Sequence, residues 1–219
     1  MGKDIREEKA VAIPSFVDKE RSIYRVATGT GPVEWSHNKK TDGIYDLNAN
    51  VWEWIGGLRL VYGELQILSD IGCSASPDSA DWRAIDGKSG ELLTPDGVGT
   101  TKNSIKLDNI GNCWTYVTDT PSSLEDTIRF CRFVDVKADI GICPKAKELL
   151  YSLGCLLPYD TPELAEVSLY ANNGAAERIA FRGGRWGQGL NSGVFKTCLD
   201  DPRSFSGDAV GFRSAYRKT

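Results

Sequence analysis

The chain has 219 residues, 41% hydrophobic and 26% charged, and its 26 Lys plus Arg against 30 Asp plus Glu leave a formal charge of −4. That length holds one sizeable core or at most two small domains, and the charge balance excludes a general nucleic-acid binder, which needs a surplus of Lys and Arg for phosphate. The 23 Gly, 6 Trp and 8 Tyr favour tight turns, short strands and aromatic packing over a helical bundle, coiled coil, collagen-like rod or disordered tail, and no apolar run approaches the length of a bilayer span.

Residues 1–30 read as an N-terminal lead-in without a strong period, part of a longer N-terminal region in the natural protein or simply a preface to the domain. The opening Met1-Gly-Lys-Asp-Ile-Arg lacks the apolar core of a secretory signal. Thr28-Gly-Thr-Gly is not followed by the Lys-Ser or Lys-Thr of a phosphate loop and reads as a turn. The single histidine, His37, lies in a polar loop, where a structural or exposed role outweighs acid–base chemistry and where multi-His metal sites are excluded.

Asn50–Ile55 suits a strand rich in aromatic and β-branched residues. Just before it, Asp46, Asn48, Asn50 and Glu53 space oxygen ligands so that a curling loop could converge them on a hard cation such as Ca²⁺. The same side chains can instead bond nearby backbone and fix a sharp loop. Leu58 to Ile67 reads as a hairpin turning at Tyr62-Gly63. Residues 72–112 are too long for an empty loop and are expected to wrap the core, with short strands near Ser104–Leu107 and, just beyond, Cys113–Val117. Ser122 and Glu125 stand at capping-box spacing. Pro144 through Ser152 is a stronger helix, with proline in the first turn and Gly154 as its stop. Glu166–Tyr170 and Arg178–Arg182 then bracket a turn at Asn172-Asn-Gly.

From 181 to 216 the glycines at 183, 184, 187, 189 and 193 exclude a helix and leave short strands and turns, ending in a strand over Val210–Tyr216. Ala175 to Thr219 carries eight Lys or Arg against four Asp or Glu, a local charge of +4 that leaves −8 elsewhere. Arg182, Arg203 and Arg213 either pair with acids of the remainder or form a face that favours acidic ligands. The six cysteines include no Cys-x-x-Cys pair and read as scattered buried thiols, with room for one disulfide.

Two motifs share one resemblance. Gly43-Ile-Tyr-Asp-Leu-Asn-Ala-Asn-Val-Trp-Glu-Trp resembles the Gly-x-x-Asp-x-x-Gly-Asn-Val-Trp-Glu-Trp signature of the formylglycine-generating-enzyme superfamily, with Ala49 in place of glycine. Arg182-Gly-Gly-Arg-Trp with Arg203 and Val210-Gly-Phe-Arg is similar to that superfamily's closing motif. The resemblance implies an α+β class and the superfamily's C-type lectin-like fold over residues 31–219, with short strands, a few short helices and long loops. The catalytic branch places cysteines shortly after its Gly-Gly motif; Gly187 through Ser192 contains none, and Cys198 lies too far on to take that role. The chain is therefore expected not to be an enzyme. Any metal of the family's loop would carry over only to Asn50 and Glu53, and no other cofactor is expected.

The nearer likeness is to the variable proteins of diversity-generating retroelements, often phage-tail or cell-surface receptor-binding proteins. Their framework is matched by Arg182, Gly183, Gly184, Trp186, Gly189, Asn191, Gly193, Val194 and Phe195, then by Pro202, Arg203, Ser204, Ser206 and Val210 through Ser214. The positions between them are Arg185, Gly187, Gln188, Leu190, Lys196, Thr197, Asp200, Asp201, Phe205, Gly207, Asp208 and Ala209. The resemblance makes these twelve the ligand-binding, diversified positions of a variable region over about 181–216. The expected geometry has Trp186, Phe195 and Phe212 buried in the scaffold while Arg185, Leu190 and Phe205 project outward. The expected role is receptor recognition, with a cell-surface protein or glycan as ligand and a phage tail or host cell surface as location. A formylglycine-type oxidase and a purely structural virion protein are the alternatives.

Overall fold

Strand pairing organises this chain: among the described residues of a computed structural model (2–4, 7–18, 23–70, 72–158 and 166–213), sixteen strands stand against one α-helix. In chain order they are β1 (Gly2–Asp4), β2 (Glu7–Ala12), β3 (Pro14–Asp18), β4 (Ile23–Val26), β5 (Trp52–Val61), β6 (Glu64–Leu68), β7 (Trp82–Ile85), β8 (Leu92–Leu93), β9 (Lys106–Ile110), β10 (Cys113–Val117), β11 (Arg129–Arg132), β12 (Lys137–Ala138), β13 (Ser168–Ala171), β14 (Arg178–Gly183), β15 (Gly193–Leu199) and β16 (Val210–Gly211). The architecture is a β-rich α+β one, built on an open mixed sheet. No helix of the described residues is long and apolar enough to cross a membrane. The chain divides into two compact units: residues 1–54, 181–196 and 206–219 form the first, and 55–180 with 197–205 the second.

The second unit holds the main hydrophobic core. Tyr62 and Gly63 have φ of 46° and 81°, the left-handed pair that a two-residue hairpin requires, and they set the register Leu58↔Ile67 through Val61↔Glu64. Gly111 and Asn112, at 60° and 62°, turn β9 into β10 in the same way. The expected strand at Cys113–Val117 is β10, and the one near Ser104–Leu107 is β9, starting slightly later. The 72–112 stretch also supplies β7 and β8, which pair with each other, β7 in turn pairing with β6. The strands of this unit, with the parts of β5, β14 and β15 that fall in it, follow the order β11-β13-β15-β14-β5-β6-β9-β10-β12. Leu60, Leu65, Ile85, Ile105, Leu107, Trp114, Tyr116 and Phe133 are all fully buried in it, an apolar burial that is the main stabilising term for such a sheet.

The helix α1 (Pro144–Ser152) forms where its capping chemistry predicts. Pro144 takes the first turn, the Cys143 sulfur accepts the Ala146 N–H, and Gly154 leaves the helix at φ 59°. Ala146 and Leu150 are its fully buried contacts with the core. The Ser122 segment differs from the capping-box expectation and forms no helix. Its N–H and hydroxyl both donate to the Asp108 carboxylate at 2.8 Å, and Ser123 N–H reaches the same group. A buried carboxylate on β9 outcompetes the helix for these donors.

In the first unit, β1 pairs with β2 and β3 with β4, so the described part of the lead-in pairs into strands where no period marked them. The opening residues of β5 pair in parallel with β16, Val210↔Trp52 and Gly211↔Glu53. Trp54 packs edge-on against Phe181 with ring centroids 3.9 Å apart, and Trp52 lies 6.4 Å from the same ring. The expected C-terminal strand is short, Val210–Gly211; residues 214–216, including framework position Ser214, lie outside the described residues.

Candidate functional site

The loop ahead of β5 is held by its own polar side chains. Asp46, Ala49 and Asn50 all have left-handed backbone, with φ of 58°, 65° and 62°. Asn50 is buried, its amide oxygen accepting Val26 N–H at 3.0 Å and its amide nitrogen donating to the Val26 carbonyl at 3.1 Å. The Asp46 carboxylate accepts Gly29 N–H at 3.1 Å, and burial raises its pKa above the ordinary carboxylate value. Glu53 receives the Arg213 Nε–H on both oxygens, at 2.8 and 2.7 Å, with a further bond from Nη2. The candidate calcium ligands Asn50 and Glu53 are thus engaged by an amide–backbone pair and a guanidinium. Calcium takes six to eight oxygen ligands; here the Asn50 amide serves the Val26 backbone and the Glu53 carboxylate serves Arg213. His37 plays a similar part, its Nδ1 accepting Ile44 N–H at 2.8 Å.

The first unit also holds the start of the C-terminal tract. Gly183 and Gly184 have φ of 96° and 81°. A Cβ on Gly183 would stand 3.1 Å from the Leu47 carbonyl oxygen, and one on Gly184 would fall 2.8 Å from Ser192 Oγ. Only glycine satisfies both demands here. The Gly183 carbonyl accepts Ala49 N–H at 2.9 Å and the Asn50 carbonyl accepts Trp186 N–H at 3.0 Å, so the two family-like motifs are hydrogen-bonded to each other. Arg185 N–H donates to the Gln188 side-chain oxygen at 2.9 Å, and buried Ser192 donates to the Arg185 carbonyl at 3.3 Å. A short 3-10 turn over Gly189–Asn191 follows and presents Leu190, 58% exposed. Gly207 and Asp208 are exposed as well, while the Ala209 carbonyl accepts Trp52 N–H at 2.8 Å.

Burial overturns four of the expected placements. Lys196 is 1% exposed and Thr197 fully buried, so neither side chain stands on a surface. The reason lies in β15: its residues 197–199 run in register with β13 and lie between β13 and β14, and the Lys196 ammonium lies 5.8 Å from the Trp52 ring. The framework aromatics err in the other direction. Phe195 is 36% and Phe212 80% exposed, although both were expected to be buried scaffold. Trp186 is half-buried.

In the second unit, Phe205 is 40% exposed and Asp200 and Asp201 are half-buried. The two aspartates join Cys198 in a cluster that no motif announced, their ligand-type atoms within 4.8 Å of one another. Cys198 Sγ–H donates to the Asp200 carboxylate. Burial, reinforced by the Asp200 charge, pushes the Cys198 thiol far above its ordinary pKa and Asp201 up to about 6. A thiol so strongly held in its protonated form is a poor nucleophile. Arg203 donates to both carboxylate oxygens of Glu177, at 3.0 and 2.8 Å, and Arg59 reaches the same carboxylate at 2.7 Å. Arg213 therefore follows the reading in which it pairs with an acid of the remainder, whereas Arg203 pairs with Glu177, inside its own Ala175–Thr219 stretch.

Compared with models of known protein families and with curated proteins, the chain matches none.

Proposed function

We propose that the chain is a non-enzymatic receptor-recognition protein of the diversity-generating-retroelement variable type, on a C-type lectin-like fold of the formylglycine-generating-enzyme kind. The observation that carries the reading is the contrast within one tract. Gly183 and Gly184 occupy left-handed, sterically closed positions, while Leu190, Phe205, Gly207 and Asp208 between the fixed elements face solvent. Side chains can change at the second set without disturbing the backbone that the first set holds. The left-handed φ at Ala49, where the family signature has glycine, supports the same reading. So does the hydrogen bond between Ala49 and Gly183, which ties the two motifs together. Exposed Leu190 and Phe205 suit the apolar anchors of a recognition surface.

Of the twelve diversified positions, the proposal keeps Arg185, Gly187, Gln188, Leu190, Asp200, Asp201, Phe205, Gly207, Asp208 and Ala209 and drops Lys196 and Thr197 for their burial. The ligand is a protein or glycan of a cell surface, and the protein sits on a phage tail or host surface to meet it. Deep sequencing of codons 180–216 from a population carrying the gene tests this. Substitutions are expected to concentrate at 185, 187, 188, 190, 205 and 207–209, with 182–184, 186, 196, 197 and 211–213 fixed. Changes that are rare and spread evenly along the gene would remove the diversified-surface reading.

A further inference from the structure

β10 and β11, both in the second unit, lie near opposite ends of the strand order, yet their thiols meet. Cys113 opens β10, Cys131 sits within β11, and their Sγ atoms are 3.3 Å apart. Chain connectivity explains the approach. β11 runs through a 3-10 turn over Phe133–Asp135 into β12, and β12 pairs in parallel with β10 through Thr115↔Lys137 and Tyr116↔Ala138. The strands at the two ends of that order, β11 and β12, are thus consecutive in the chain, which brings Cys131 beside Cys113. No ladder between β10 and β11 appears among the described residues. The contact there includes the two sulfurs, the Trp114 N–H donating to Cys131 Sγ at 3.3 Å, the Cys113 Sγ–H donating to the Asp135 carbonyl at 2.7 Å, and the Arg129 guanidinium 5.3 Å from the Trp114 ring centroid.

We propose that Cys113 and Cys131 are an oxidative modification site: a dithiol that closes to a disulfide by exchange with a small-molecule disulfide and clasps the two ends of this sheet. Cys113, half-buried, is the entry thiol, and Cys131, 8% exposed, is the resolving one. The Cys113 thiolate attacks one sulfur of the external disulfide, whose S–S bond breaks and releases a first thiol. The Cys131 thiolate then attacks Cys113 Sγ in the mixed disulfide and expels the second thiol. The two cysteines give up two protons and two electrons, and the external disulfide is reduced to two thiols. The sulfurs must close from 3.3 Å to the ~2.05 Å of a disulfide, and Cys113 gives up its bond to Asp135. Burial pushes the Cys131 thiol up to about 12, so the resolving step is slow at neutral pH and accelerates as pH rises. Once formed, the bond restricts the unfolded chain between the two positions.

Incubating the folded full-length chain with oxidised glutathione, then acid quenching, alkylating under denaturing conditions and mapping peptides, tests the pairing. The expected result is a Cys113–Cys131 cross-linked peptide with the other four cysteines alkylated. The urea midpoint of the oxidised protein should exceed that of the reduced one and return on adding dithiothreitol. Cys113→Ser should abolish both the cross-link and the redox-dependent midpoint; Cys113→Ala serves if the serine variant loses its far-ultraviolet dichroism. Full alkylation of Cys113 and Cys131 after oxidation overturns the proposal. So does a cross-link to any other cysteine, or a Cys113–Cys131 bond that leaves the midpoint where it was.

Discussion

Lys196 and Leu190 belong to one C-terminal tract and meet opposite environments, 1% and 58% exposed. The lysine stem is enclosed by protein and its ammonium lies 5.8 Å from the Trp52 ring centroid, within reach of a cation–π attraction. Truncating it removes packed methylenes and leaves a cavity, the mechanism by which buried long side chains stabilise a fold. Lys196→Ala is expected to lower the unfolding free energy by about 1–3 kcal/mol. Leu190→Ser should stay within about 0.5 kcal/mol of the parent, because an exposed side chain loses little burial. Parallel urea titrations of the two variants check both values. A Lys196→Ala variant as stable as Leu190→Ser would return position 196 to the diversified surface.

At the scale of elements, local backbone chemistry decides the outcome wherever it is unambiguous. Helix α1 is bounded by Pro144 in its first turn and Gly154 at φ 59°. Gly154→Ala should cost about 1 kcal/mol, measured as a lower midpoint in chemical denaturation, because alanine at that φ is strained. The Tyr62-Gly63 hairpin and the Pro144 helix were legible in sequence for the same reason: the signal lies in residues adjacent to the structure they make. Ser122 misleads because its partner, Asp108, lies on another strand and no local pattern points to it. The meeting of Cys113 with Cys131 and the burial of Lys196 were equally hidden, since each depends on which strands become neighbours. In the candidate site the exposure of Leu190 and Phe205 agrees with the variable positions that the resemblance assigns them, whereas the exposure of Phe212 does not agree with its framework position. An aromatic residue is ordinarily assigned to a core, and nothing in its immediate neighbours contradicts that assignment.

The charge of the whole molecule is divided, +4 over Ala175–Thr219 and −8 over the remainder; Glu53 of the remainder neutralises Arg213, while Arg203 pairs with Glu177 inside its own stretch. The Glu177 carboxylate and the Cys198 cluster give folding stability opposite dependences on pH. Burial and the neighbouring Asp200 raise Asp201 to about 6 in the fold, so the folded state binds a proton that the unfolded chain has lost. Stability from this group is fully present below the unfolded value of 3.8 and is lost as pH rises through about 6. Asp46, raised by burial, acts in the same sense. Burial alone would raise Glu177, but hydrogen bonds from Arg203 and Arg59 outweigh it and lower the carboxyl below its usual 4.5. Its contribution is present above 4.5 and lost as pH falls through the folded value. Stability should therefore rise on acidification from about pH 7 to about pH 5 and decline below about pH 4. Solvent screening at the half-exposed Asp201 leaves about 1 kcal/mol for its share of the rise. Thermal melts across this range check the shape, and Asp201→Asn should flatten the upper limb while leaving the acid decline in place. An unchanged upper limb in that variant would move the effect to Asp46, and stability that falls steadily from neutral pH downward would show that Glu177 outweighs the buried aspartates.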